Sequence, residues 1–314
     1  MIEQIFFDFN VVVKSMEKIP VLEVRGLRKS FQDFEAVKGV NFTVFQGDIF
    51  GFLGPNGAGK STTLRMVTSL IKPSAGDIHI FGLPLSSNRE HILSRMGILV
   101  EKPDLYGFLS GYDNLSMLSS LNGKRASRQR IEDVIHMVGL QGREQDKVRK
   151  YSQGMRQRLG IAQALIHNPE IIILDEPSNG LDPQGIVDIR ELIIRLGREY
   201  KKTVILSSHL LNEVEMMANR MVIINKGQVT VEGEVQELLG GSTIKLTLSC
   251  SHPEKAQKIA SETTSEVRII DGQLVLEIPR ESVGQLVSNL VANQIEVYAV
   301  VPVRKLEDYF ISLT

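Results

Sequence analysis

An excess of charge of either sign is missing from this sequence: 36 Lys+Arg stand against 37 Asp+Glu in 314 residues. The chain as a whole therefore carries no electrostatic footprint for nucleic acid, and no nucleic-acid partner is expected. Cysteine is nearly absent. With Cys250 alone no intrachain disulfide forms, a reducing compartment suits the protein, and a buried small hydrophobe is the expected role. No stretch approaches the roughly 18–20 consecutive apolar residues of a membrane helix. The longest runs are short pieces such as Ile171 to Leu174, so the chain is not expected to cross a bilayer by itself. A basic region is also missing ahead of the apolar Ile5, Phe6, Phe7 and Phe9, which Asp8 and Asn10 interrupt, and that makes a poor signal peptide. This start reads either as an overextended frame, with Met16 the first residue, or as a short extra strand or docking arm.

What is there, 42% hydrophobic residues over a length that allows more than one domain, describes an ordinary globular protein. After an extension of residues 1–20, short β-rich runs at Val21 to Val24, Phe42 to Phe45 and Ile49 to Leu53 read as strands, the last ending at a glycine-rich loop. Lys60 to Leu70 reads as a helix stopped before Pro73, and Asp77 to Phe81 as a strand. From about 88 to 168 helical runs dominate, which suggests a helical subdomain inserted in an α/β core. Ile171 to Leu174, closed by Asp175 and Glu176, has the fully apolar look of a buried parallel strand. A helix over Gln184 to Glu199, a strand at Thr203 to Leu206 and a hairpin turning at Asn225-Lys226-Gly227 follow. Past Gly240-Gly241 the order becomes β-α-β-β-α-β, which predicts a small ferredoxin-like α+β appendage over 241–314 without a catalytic constellation. The fold class is thus α/β, with a mixed sheet spanning about 21–240, plus that appendage; the loop after Leu53, Gly54-Pro55-Asn56-Gly57-Ala58-Gly59-Lys60-Ser61, makes the core that of a P-loop NTPase.

The chemistry starts at Gly54-Pro55-Asn56-Gly57-Ala58-Gly59-Lys60-Ser61, which satisfies GxxxxGK[ST] between a predicted strand and a predicted helix. Glycines let successive backbone N–H groups face phosphate oxygens, and the helix adds its positive dipole end, with Thr62 in its first turn. Lys60 is placed to reach the β- and γ-phosphates of ATP and Ser61 to ligate Mg²⁺. Asp175, leaving its apolar strand beside that loop, supplies a second Mg²⁺ contact. Glu176 next to it can act as general base toward the attacking water, an effect of ~10²–10⁴-fold.

The stretch Tyr151-Ser152-Gln153-Gly154-Met155-Arg156-Gln157-Arg158 resembles the signature motif LSGGQxxR of the ABC ATPases. The resemblance spans about Val21 to Leu239. It implies a head-to-tail dimer, homo- or heterodimeric, in which Ser152 and Gly154 of one subunit meet the γ-phosphate held by the other. It further implies a D-loop at Asn179-Gly180-Leu181-Asp182, a switch histidine at His209 and an adenine-stacking aromatic at Phe31, with Phe34 as competitor.

Two positions depart from the family pattern. Glu101 stands where Gln usually contacts Mg²⁺ and the attacking water, and it keeps an oxygen ligand suited to hard Mg²⁺. The signature has Tyr151, Gln153 and Met155 in place of Leu, Gly and Gln. Both departures are similar to those of ATPases serving exporters of bacitracin, lantibiotics and related peptides or drugs. By that resemblance the chain is an ATP-hydrolysing subunit, cytoplasmic and peripheral on the inner face of the membrane. Its permease is a separate chain, docked near Glu101 to Asn114 through Leu105, Tyr106, Phe108 and Leu109.

Two other classes compete. DNA-repair members of the family insert long coiled coils between P-loop and signature, and ribosome-acting members carry two cassettes; here one P-loop and about ninety intervening residues are present. A non-catalytic nucleotide sensor would dispense with Lys60 or Glu176, and both are there. The appendage is expected to regulate activity or support dimer contacts.

Overall fold

The structure is a computed structural model that describes residues 18–101, 103–120, 125–238, 243–264 and 266–303. The apolar start at Ile5 to Phe9 and the Gly240-Gly241 step lie outside the described residues. The chain opens with β1 (Pro20–Phe31), β2 (Phe34–Phe45) and β3 (Ile49–Leu53), then α1 (Lys60–Val67), β4 (Ala75–Ile80), β5 (Leu83–Pro84), α2 (Arg89–Leu93) and β6 (Met96–Leu99). Helices α3 (Gly111–Ser120), α4 (Arg128–Met137) and α5 (Gln153–Leu165) precede β7 (Ile171–Leu174), α6 (Pro183–Arg198), β8 (Thr203–Ser208) and α7 (Leu211–Met217). The hairpin β9 (Arg220–Asn225) and β10 (Gln228–Glu234) leads to a short α8 (Val235–Leu238). Last come β11 (Thr243–Cys250), α9 (Pro253–Ala260), β12 (Val267–Ile270), β13 (Gln273–Pro279), α10 (Val283–Ala292) and β14 (Val297–Val303).

The central sheet has the order β10-β9-β3-β8-β7-β6. It is parallel from β9 to β6, with β10 antiparallel at one edge. Its inner strands are apolar throughout because both faces are covered. The two-residue period of a strand divides β7 between two cores. Ile172 and Leu174 pack with α4, α5 and α6 residues such as Ile135, Leu159 and Ile193. Ile171 and Ile173 pack with Leu22, Val40, Phe52, Leu64 and Ile80 on the side of α1 and the second sheet. That sheet, β2-β1-β4-β5, is antiparallel. In β1 the register shifts between Val24 and Leu27, across Gly26 at φ 57°, so Leu22, Val24 and Leu27 all point inward although strict alternation would turn Leu27 out.

Three elements differ from the sequence reading. The first hairpin is much longer than its apolar ends suggested. Helix α1 stops at Val67, where Ser69 enters the left-handed region at φ 57° and the amides of Leu70 and Ile71 turn back onto the Arg65 carbonyl. Most consequentially, Met96–Leu99 is β6, the parallel edge of the central sheet, although the helical subdomain was expected from about 88. Four residues behind a five-residue helix are too few to show strand periodicity.

The third sheet has the order β12-β13-β11-β14, all antiparallel. Residues Leu246, Leu248, Leu274, Leu276, Ala256, Ala260, Leu286 and Leu290 form a core of their own, with Cys250 a buried member of it. Among the described residues no helix is long and apolar enough to cross a membrane.

Candidate nucleotide site

The loop between β3 and α1 is pinned at both ends. The Gly54 amide donates to the Ser208 carbonyl at 3.3 Å, and a Cβ on Gly54 would stand only 2.2 Å from the Ile224 carbonyl oxygen, so β9 leaves no room for a side chain there. Gly59 precedes α1 at φ 104°. Residues Asn56 to Thr62, with Phe34, Ala36, Glu176 and Asn179, line a cleft of about 360 Å³. Lys60 is 5% exposed, and its ammonium donates to the carbonyls of Gly54 (2.7 Å) and Pro55 (3.2 Å) and pairs with Glu176 Oε1 at 3.3 Å.

The acidic pair emerges where β7 ends. The Asp175 amide still bonds to the Leu99 carbonyl of β6 at 2.9 Å, after which Glu176 turns into the left-handed region at φ 48°. That turn carries its carboxylate back over the loop. Oε1 faces Lys60, and Oε2 lies 2.8 Å from His209 Nδ1. A carboxylate only accepts, so Nδ1–H donates in this contact. Lys60, Glu176 and His209, about 150 residues apart along the chain, thus form one connected group.

A second cleft, about 570 Å³, contains Glu101, Tyr151, Gln153, Asp175 and Glu176 and shares Glu176 and Asn179 with the first. Glu101 has φ 87° and an exposed side chain ion-paired with Arg65. A larger hollow of about 880 Å³ beside α4 contains none of the candidate residues.

Other candidates stand apart within the single chain. Ser152 caps α5, its hydroxyl accepting the Met155 amide at 3.2 Å, and neither it nor Gly154 lines the two clefts. Asp182 caps α6 by accepting the Gly185 amide at 3.0 Å, with Pro183 in the first turn. Phe31 sits at the tip of the first hairpin with the Lys29 ammonium 5.0 Å from its ring centre, whereas Phe34 faces the P-loop cleft. Tyr151, the departure from Leu, is buried and donates its hydroxyl to the Arg143 carbonyl at 2.7 Å; Gly111 gives the ring room, since a Cβ there would meet the hydroxyl at 2.4 Å. Burial pushes that phenol up to about 12, so it stays a donor.

Four side chains that tie the site together, Ser207, Ser208, Ser178 and Glu213, were not singled out in the sequence. Ser207 bonds to both Asp175 and Glu176. Glu213, 8% exposed, accepts from Ser178 (2.5 Å) and from Ser208 (3.3 Å). Their one sequence signal was Ser207-Ser208 immediately ahead of His209. As for metal donors, the described residues hold no group of three or more His, Cys, Asp or Glu able to bind an ion. Asp175 and Ser61, one carboxylate and one hydroxyl on adjoining clefts, are oxygen donors of the kind Mg²⁺ takes together with waters and phosphate oxygens.

The family model described as ABC transporter matches residues 37–179. The bacitracin transport ATP-binding protein BcrA of Bacillus licheniformis is 39% identical over 93% of this chain and 97% of its own length. Among solved structures, cbiO1 from Clostridium perfringens, part of the ABC transporter complex cbiONQ, aligns at a TM-score of 0.65 and 28% identity over 70% of this chain and 91% of its own. The dimeric cassette MJ0796 in a post-hydrolysis state bound to ADP and Pi aligns at 0.61 and 25% identity over 68% of this chain and 98% of its own. A pinned P-loop facing a carboxylate and a histidine, in a chain that matches BcrA over nearly its whole length and these cassettes over about two thirds of it, places it in the ABC transporter family as one of its ATP-binding, ATP-hydrolysing proteins.

Proposed function

We propose that two such cassettes close head to tail around MgATP and drive export of an antimicrobial peptide or drug through a permease on another polypeptide. The observation that carries the catalytic part is the position of the Glu176 carboxylate between Lys60 and His209. In this reading the loop amides of Gly54 to Ser61 and the N-terminus of α1 bind the phosphates, and Lys60 exchanges its carbonyl partners for phosphate oxygens. Glu176 accepts the proton of the attacking water, and His209, oriented by its Nδ1–H bond to Glu176, presents Nε2 to the same place. Ser61 from the first cleft, with Asp175 and Glu101 from the adjoining second, would hold Mg²⁺, which would neutralise charge on the β- and γ-phosphates. Ser152 and Gly154 line neither cleft of their own chain, which supports a role for them in the site of a second cassette, with Asp182 at the junction.

The permease surface is assigned to the segment before α3. Tyr106 and Phe108 are 40% and 67% exposed and stack edge to face with ring centres 5.8 Å apart. Such an aromatic pair on the surface is typical of an interface anchor. The protein then works at the inner face of the membrane, and the third sheet with its separate core serves as a regulatory or dimer-supporting appendage. BcrA is named for bacitracin transport, which makes a peptide antibiotic the first cargo to try. The test is antibiotic tolerance in cells expressing the chain together with a candidate permease of the bacitracin-exporter type. Raised tolerance to bacitracin or a related peptide, lost on Lys60→Ala, is expected. Tolerance unchanged across a panel of such peptides and drugs contradicts the export reading.

A further inference from the structure

Ser207, the residue before the last in β8, is fully buried, and its one hydroxyl has two partners. It donates to Asp175 Oδ1 and accepts the Glu176 amide at 2.8 Å. Neither bond can run the other way, because an ionised carboxylate has no proton to give and an amide N–H only donates. The two bonds therefore use the single proton and a lone pair of one oxygen, and they hold adjacent residues with different tasks. Asp175 Oδ1 is occupied, and Oδ2 has no hydrogen-bond partner among the described residues. Glu176 sits at φ 48°, a left-handed conformation that a residue with a Cβ adopts only when its surroundings impose it. Its amide, leaving the sheet ladder at that point, is satisfied by Ser207.

The neighbouring hydroxyl does something else. Ser208 bonds to Glu213 (3.3 Å) and accepts the Leu210 amide (3.0 Å), away from both acids. The two serines separate a contact that aims the acidic pair from one that holds the loop after β8.

We propose that Ser207 is the positioning residue of hydrolysis, fixing through one hydroxyl both the carboxylate that faces Mg²⁺ and the backbone conformation that aims the base. The proposal rests on Asp175 as metal ligand and Glu176 as base. Losing the hydroxyl leaves Asp175 Oδ1 and the Glu176 amide without this partner in a half-buried site. Outer partners that orient a ligand are typically worth about 10–100-fold in metal affinity or activity.

The experiment compares Ser207→Ala, Ser207→Thr, Ser208→Ala, Asp175→Asn and the Ser207→Ala/Asp175→Asn double variant in the full-length protein. Turnover is followed across Mg²⁺ concentration. Separately, ATP affinity with and without Mg²⁺ is measured by displacement of a fluorescent ATP analogue. Ser207→Ala is expected to lower kcat about 10–100-fold and raise the Mg²⁺ half-saturation. Its KM for ATP at saturating Mg²⁺ stays near the parent value, and the Mg²⁺-dependent gain in ATP affinity shrinks. Ser207→Thr, which keeps the hydroxyl, restores the parent Mg²⁺ dependence, and Ser207→Ala has much less effect once Asp175 is Asn. Parent-like Mg²⁺ half-saturation in Ser207→Ala, full additivity with Asp175→Asn, or the same kinetic profile in Ser208→Ala overturns the proposal. Should Ser207→Ala not fold, Ser207→Cys takes its place, since a thiol is a weak donor, and parent-like Mg²⁺ dependence there overturns it equally. A Glu176→Gln protein that still turns over would instead sink the reading of the base itself, so the two failures are distinguishable.

Discussion

Gly54 and Gly57 belong to the same phosphate loop, yet alanine should affect them for different reasons. At Gly54 the added Cβ would lie 2.2 Å from the Ile224 carbonyl oxygen and 3.1 Å from that residue's Cγ2. Ordinary contact begins near 3.4 Å, so loop or strand must move by about 1 Å. The obstacle is β9 backbone, held on one side by β3 and on the other by β10, which leaves the loop to give way. Overpacking of this kind costs about 1–3 kcal/mol, and a rigid backbone obstacle argues for the upper end. At about 2–4 °C per kcal/mol for a domain of 150–250 residues, the melting temperature falls by roughly 6–12 °C. Displacing a phosphate cradle by about 1 Å should also weaken turnover by ~10²-fold. At Gly57 nothing lies within 4 Å of the added atom, and only the backbone at φ 80° resists, at about 1 kcal/mol. Differential scanning fluorimetry without nucleotide isolates the stability part. Gly54→Ala should melt clearly below Gly57→Ala. Equal melting temperatures, or a Gly54→Ala protein that melts with the parent, would refute the packing argument.

Phe34→Ala should raise the KM for ATP by about 5–100-fold, as loss of one base stack predicts, and more than Phe31→Ala does, because Phe34 is the aromatic on the P-loop cleft. Tyr151→Phe should cost about 1 kcal/mol in urea unfolding through loss of the bond to the Arg143 carbonyl. That difference should be equal at pH 7 and pH 9, since the phenol is pushed up to about 12 and remains protonated. Burial is the main influence on His167 and holds its pKa below the ordinary 6.5, against the bond from its Nε2 to the Met96 carbonyl. As pH falls through 6.5 the unfolded chain takes up the proton first, so stability drops toward the depressed folded value. Comparing unfolding at pH 7.5 and 5.5, His167→Gln should lose less stability on acidification than the parent does.

The nucleotide site was legible in the sequence wherever its residues are contiguous. Gly54 to Ser61 form a loop whose spacing is itself the phosphate cradle, and Asp175-Glu176 follow four consecutive apolar residues of the kind a buried parallel strand has. His209 came from the resemblance to the ABC ATPases, at its place after the next buried strand. Ser207 and Glu213 were not found, since a serine at a strand end and a glutamate early in a helix look like solvated residues. Only the adjacency of β7 and β8 turns them into partners of Asp175 and Ser178. The preference between Phe31 and Phe34 was likewise hidden in the hairpin turn, where Gln32 adopts φ 50° and Phe34 comes to line the cleft. For β6 the limit was length, as four residues carry too little pattern to stand out from a helical stretch. The α+β order past 243 was readable because each of its elements has a clean period and a turn signal, such as Asp271-Gly272 between β12 and β13.

The central claim is that Glu176, placed between Lys60 and His209, is the base for ATP hydrolysis. Phosphate release and ATP binding by Glu176→Gln, measured side by side with the parent protein, test it most directly. The account predicts near-parent ATP affinity with turnover lowered by ~10²–10⁴-fold. Turnover equal to the parent at equal ATP occupancy would contradict it.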